Sequence, residues 1–133
     1  MPMTFEDVEA IAGSLPGVTV GVKWRNRTWM VDDKGFAWQR PFSKADLKRF
    51  GDETPPQGEI LALRMESLEA KDALLAMDLP GFFTIPHFNG YPGILIELRK
   101  ARAKDVKTAI LAAFEAVAGS PPKRTARPRR RGR

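Results

Sequence analysis

The chain has one histidine, His87, set between two prolines in the segment Thr84–Leu98, TIPHFNGYPGILIEL. An imidazole does chemistry only in company: a hydroxyl or thiol to activate, a carboxylate to orient its second nitrogen, or further ligands around a metal. Cysteine is absent, and a lone histidine excludes the paired-histidine metal motifs. No acid falls within seven residues before His87, and Glu97 is the nearest after it. The neighbours spell a bend instead. Pro86 biases Ile85 toward extended backbone, Pro92 does the same to Tyr91, and Asn89-Gly90 tolerates positive φ. His87 is therefore read as a structural residue of a tight turn. The alternative is a ligand-contacting role in a cleft with Trp38 and Tyr91. No catalytic residue and no metal ligand is expected, and neither phosphate-cradling glycine loops nor a GxSxG elbow occurs. The chain reads as a non-enzyme without a cofactor. The Asp32-Asp33 pair falls in a turn, where exposure would leave both carboxyls unable to act as general acids.

The second chemical signal is cationic. Of the formal net charge of +6, the whole excess lies in the last eleven residues, KRTARPRRRGR. These carry Lys123, Arg124, Arg127, Arg129, Arg130, Arg131 and Arg133 and no acid. The preceding body, with 15 basic and 16 acidic residues, is nearly neutral. A charged, proline-containing block without large apolar residues cannot offset its ordering entropy, so 119–133 is expected to be a disordered tail that attracts polyanions. Within the body, Lys23, Arg25 and Arg27 alternate. If extended, they share one side at about 7 Å spacing, with Trp24, Trp29 and Trp38 near enough to stack on bases. Arg99, Lys100, Arg102 and Lys104 flank the beginning of the last helix, read near Lys104 to Val117, where the helix dipole does not favour them.

Elements that would hold these groups follow from periodicity. Thr4 caps a helix whose apolar positions Phe5, Val8, Ile11, Ala12 and Leu15 recur at helical spacing, and Pro16-Gly17 ends it. VTVGVKW to TWMV reads as strand, followed by a turn at Asp32–Gly35, with Gly35 suited to positive φ, and the strand FAWQR. A polar stretch holds one short helical turn capped by Ser43. EILALRM is the third strand, with Ile60, Ala62 and Arg64 opposed to Leu61, Leu63 and Met65. Ser67 caps a helix facing inward through Ala70, Leu74 and Met77; FFTI and GILIEL are strands; Val106, Ile110, Ala113, Phe114 and Val117 stripe a final helix. The order α-β-β-β-α-β-β-α implies an α+β, two-layer sandwich, mostly antiparallel, with the helices on one face.

LPGV, GFAWQRP, GEILALRM, KDALLAMD and above all FFTIPHFNGYPGILIEL resemble the MmcQ/YjbR-like family of small bacterial proteins, from about Thr4 to Val117. The resemblance implies a fold similar to secretion chaperones, a 1–118 domain, and nucleic-acid binding, without bringing a catalytic mechanism. It leaves residues 119–133 outside. The expected function is non-specific DNA binding by phosphate neutralisation, through Lys23, Arg25, Arg27 and the tail. The alternatives are a chaperone-like protein-interaction module and a small-ligand binder at the Trp38–His87–Tyr91 cleft. With neither a signal-like N-terminus nor an apolar run long enough for a span, the protein is expected in the cytoplasm.

Overall fold

The computed structural model describes residues 3–23, 25–56 and 58–118; Trp24 and the cationic 119–133 segment lie outside the described residues. The chain runs α1 (Phe5–Ala12), β1 (Val18–Lys23), β2 (Asn26–Val31), β3 (Lys34–Gln39), α2 (Lys44–Phe50), β4 (Ile60–Arg64), α3 (Leu68–Ala76), β5 (Phe82–Phe83), a 3-10 turn (Pro86–Phe88), β6 (Gly93–Glu97) and α4 (Ala103–Ala118). The six strands form one sheet in the order β1-β2-β3-β4-β6-β5, every pairing antiparallel. The α+β class read from the sequence is the class observed.

Two apolar clusters sandwich the sheet, and strand periodicity assigns residues to them. Leu61 and Leu63 of β4 join Ile94 and Ile96 of β6 in the larger cluster, which Val8 and Ala12 of α1 and Val106, Ile110, Ala113 and Val117 of α4 complete. Phe114 packs edge-to-face on Phe36 at 5.8 Å. Ile60, Ala62 and Leu95 face the other way, with Trp38, Ile85 and Phe88. Phe42 and Phe50 close this smaller cluster, so α2 lies across the sheet from the other three helices. Capping explains where helices begin: the Ser43 and Ser67 hydroxyls accept from the Asp46 and Ala70 amides (both 3.1 Å), and Asp7 accepts from the Thr4 amide (2.9 Å).

Four local expectations change. The stretch expected as one long strand is two, because the chain reverses: Lys23 pairs with Asn26, and Arg25 takes φ 68°. The turn expected to use Gly35 uses Asp32 and Asp33 instead (φ 52° and 64°), the two central positive-φ residues of a mirror-image hairpin turn. Gly35 lies in β3 for a packing reason, since a Cβ there would meet Thr28 Cγ2 at 2.9 Å. The polar stretch forms a true helix, α2, rather than one turn. Met77 is exposed just past α3, and Lys71 takes the inward position.

Candidate functional site

The smaller cluster leaves an open cleft of about 960 Å³ between β3, α2 and the 86–91 segment. Trp38 forms its floor, almost fully buried, and Arg40 follows it at the end of β3. Asp46 and Arg49 reach in from α2, and His87 and Tyr91 from the opposite wall. Trp38, His87 and Tyr91, expected together from the sequence, do line one cleft.

The bend carrying His87 and Tyr91 forms as its residues dictate. Ile85 is extended (φ −132°), the Phe88 carbonyl accepts from the Tyr91 amide at 3.0 Å, and Gly90 takes φ 77° between them. From the far side, Lys71 of α3 anchors the bend: its buried ammonium donates to the carbonyls of Phe88 (2.6 Å) and Tyr91 (2.8 Å). Burial lowers the Lys71 pKa, with Asp72 opposing. Tyr91 stands edge-on to both Trp38 (6.4 Å) and Phe88 (5.5 Å). Burial raises its phenol pKa against the pull of Arg64. Among the described residues, the cleft lining offers His87 one carboxylate, Asp46, and two hydroxyls, those of Ser43 and Tyr91.

Charge in the cleft is unbalanced. Asp46 is buried, accepting from the Ser43 amide (3.0 Å) and from Arg40 (3.0 Å); Arg49 lies farther off at 3.8 Å and is half exposed. Burial alone would raise the Asp46 pKa, but the Ser43 hydrogen bonds and the Arg40 guanidinium outweigh it and hold the carboxyl below its ordinary range. One carboxylate therefore faces two guanidiniums. Arg40 is also fixed over the Phe88 ring at 5.7 Å, leaving Arg49 as the loosely held cation. Sequence reasoning missed Arg40, Asp46 and Arg49. The signal was present: Ser43 followed three residues later by Asp46 is a capping pattern that aims a carboxylate back at the chain preceding the helix.

The expected Lys23–Arg25–Arg27 row does not form. The reversal pairs Lys23 with Asn26 and Arg27 with Val22, so alternation carries Lys23 and Arg27 to opposite faces of the hairpin, with Arg25 in the turn. Lys23 donates to the Asp33 carbonyl (2.6 Å), and Arg27 lies over the Trp29 ring at 5.9 Å. Trp29 cannot stack on a base; it is fully buried, its indole donating to Glu9 (2.8 Å). Arg99 and Lys100 pair with Glu97, and Arg102 with Asp105. Lys123, Arg124, Arg127, Arg129, Arg130, Arg131 and Arg133 fall outside the described residues. Among the described residues, no helix is long and apolar enough to cross a membrane.

No family model matches the chain. The uncharacterized protein Rv2570 of Mycobacterium tuberculosis is 39% identical over 115 residues, which span 84% of this chain and 85% of that protein. The uncharacterized protein Mb2600 of Mycobacterium bovis matches to the same extent. The chain belongs to their family. Its fold is similar to the crystal structure of a Pseudomonas syringae protein, with a TM-score of 0.65 at 16% identity, over 86% of this chain and 99% of that one. At that identity the likeness concerns the fold alone. The named relatives are bacterial, and the mycobacterial ones carry no assigned activity.

Proposed function

We propose that the protein binds nucleic acid without base preference, the cleft engaging the sugar-phosphate backbone through Arg49 and the 119–133 segment adding cations. The observation that carries this reading is the pair of guanidiniums set against a single carboxylate in a cleft open to solvent. Phosphate supplies the missing negative charge, and each phosphate neutralised releases counterions. The resemblance of PHFNGYP and its flanks to the MmcQ/YjbR-like family supports the same reading, as do the seven cations after Pro122. The body is close to neutral, so the two sources of charge act together: the segment supplies attraction and the cleft supplies position.

Anisotropy titration of labelled DNA against salt tests this. Arg49→Ala flattens the slope of log K against log salt by about 1, and removal of residues 119–133 flattens it by about 6. Binding that is absent at low salt, or indifferent to salt, refutes the proposal. A second reading rests on the cleft's size, which sits at the upper end of the roughly 300–1,000 Å³ of small-molecule pockets. A small planar acid would then be the ligand, and salt-indifferent binding of such a compound would favour it.

A further inference from the structure

Phosphate contact alone does not need an aromatic cleft. Tyr91 is 38% exposed, and edge-to-face packing on Trp38 (63° between planes) and Phe88 (80°) fixes its ring from two sides. Because Lys71 pins the carbonyls of Phe88 and Tyr91, the ring is held before any ligand arrives, so little ordering entropy remains to be lost on binding. His87, exposed, lies beside Phe88 at 6.2 Å and extends the same wall. A duplex keeps its bases stacked inward and would present only phosphates to this wall. An unpaired strand presents a flat ring and a phosphate together.

We infer that the cleft takes an unpaired base of a single strand, stacked on Tyr91 and His87, with Arg49 on the adjoining phosphate. This rests on the nucleic-acid reading above and narrows its partner to single-stranded segments. Ser43 and Asp46 each accept from the other's amide at the start of α2, and Asp46 also holds Arg40, so both are oriented by the fold rather than by a base edge. Stacking is open to any base, and the site is sequence-tolerant. A volume of about 960 Å³ exceeds what one base needs, which suits a strand passing through rather than a single captured nucleotide.

The test uses the full chain with three probes: a labelled thymidine homopolymer of about fifteen nucleotides, a mixed-sequence duplex of the same length, and thymidine monophosphate. The strand is expected to bind about 10-fold more tightly than the duplex, and Tyr91→Ala to remove about that factor from the strand while leaving the duplex unchanged. Tyr91→Phe keeps the ring and is expected to keep the preference. His87→Ala, at an exposed position, gives a smaller loss in the same direction without disturbing the fold. Equal affinity for strand and duplex, unmoved by either alanine variant, overturns this inference and leaves the nucleic-acid reading standing. Monophosphate binding as tight as the strand's overturns it in favour of a free nucleotide. Failure of all three probes at low salt refutes the nucleic-acid reading itself.

Discussion

Asp46 serves the fold and opposes the proposed ligand, so replacing it should move stability and affinity in opposite directions. In the folded protein the carboxylate accepts from the Ser43 amide and from Arg40, with almost no exposure. Losing the acceptor of the Ser43 amide costs about 1 kcal/mol, while the Ser43 hydroxyl still caps the residue-46 amide. Breaking a buried pair costs about 3–5 kcal/mol when the partner stays uncompensated, but Arg40 keeps 16% exposure beside an open cleft and can turn toward water, so about 2 kcal/mol is appropriate. Asp46→Ala should therefore lose about 3 kcal/mol, or about 12 °C in Tm for a chain of this length. Asp46→Asn keeps one acceptor and should lose about half. Both variants remove the charge that partly neutralises Arg49, so affinity for DNA should rise several-fold at low salt, with a salt slope steeper by about 1. Thermal melts and anisotropy on the same samples report the two effects. The pH dependence is also determined. A carboxyl with a lowered folded pKa contributes stability that is full above its unfolded pKa of about 3.9 and lost as pH falls through the folded value. The gap between wild type and Asp46→Asn should thus close in acid, below about pH 4. A Tm change under about 2 °C for Asp46→Ala, or weakened DNA binding in a folded variant, would refute the reasoning.

Glu9→Ala strands the buried Trp29 indole N–H and should cost about 1–3 kcal/mol in chemical denaturation, against under about 1 kcal/mol for Arg102→Ala, whose guanidinium is more than half exposed beside Asp105. Lys71→Met removes the donor shared by the Phe88 and Tyr91 carbonyls; a loss of about 2 kcal/mol is expected, with faster amide exchange in the 86–92 segment. Gly81→Ala places a methyl 2.7 Å from the Glu97 carbonyl oxygen at φ 84°, and should lower Tm by more than about 8 °C.

Where local chemistry decided the outcome, the sequence was informative. Helix α4 follows from its apolar stripe, α1 and α3 from Thr4 and Ser67, and the His87 bend from its prolines and Gly90. The β1–β2 reversal was not legible. It falls between Lys23 and Asn26 and places Arg25 in a backbone region that arginine adopts at a cost, so the pairing of the flanking strands overrides local preference. Misreading that reversal is what assembled Lys23, Arg25 and Arg27 into a row. The wall of Trp38, His87 and Tyr91 could be anticipated because all three lie in segments of clear conformation. The Arg40–Asp46–Arg49 group depends on which side of the sheet α2 chooses, and only the burial of Phe42 and Phe50 decides that.

Strand β4 alternates between the two apolar clusters, Leu61 and Leu63 to one side, Ile60 and Ala62 to the other. A slip of one residue would exchange the two sets, sending Leu61 and Leu63 into the smaller cluster and Ile60 and Ala62 into the larger, so neither layer can loosen while the other stays intact. Melting should accordingly be a single transition, and a compound seated in the cleft would delay unfolding of α4 on the far side as much as of α2 beside it. That makes a thermal-shift screen a fair way to find whatever this protein holds.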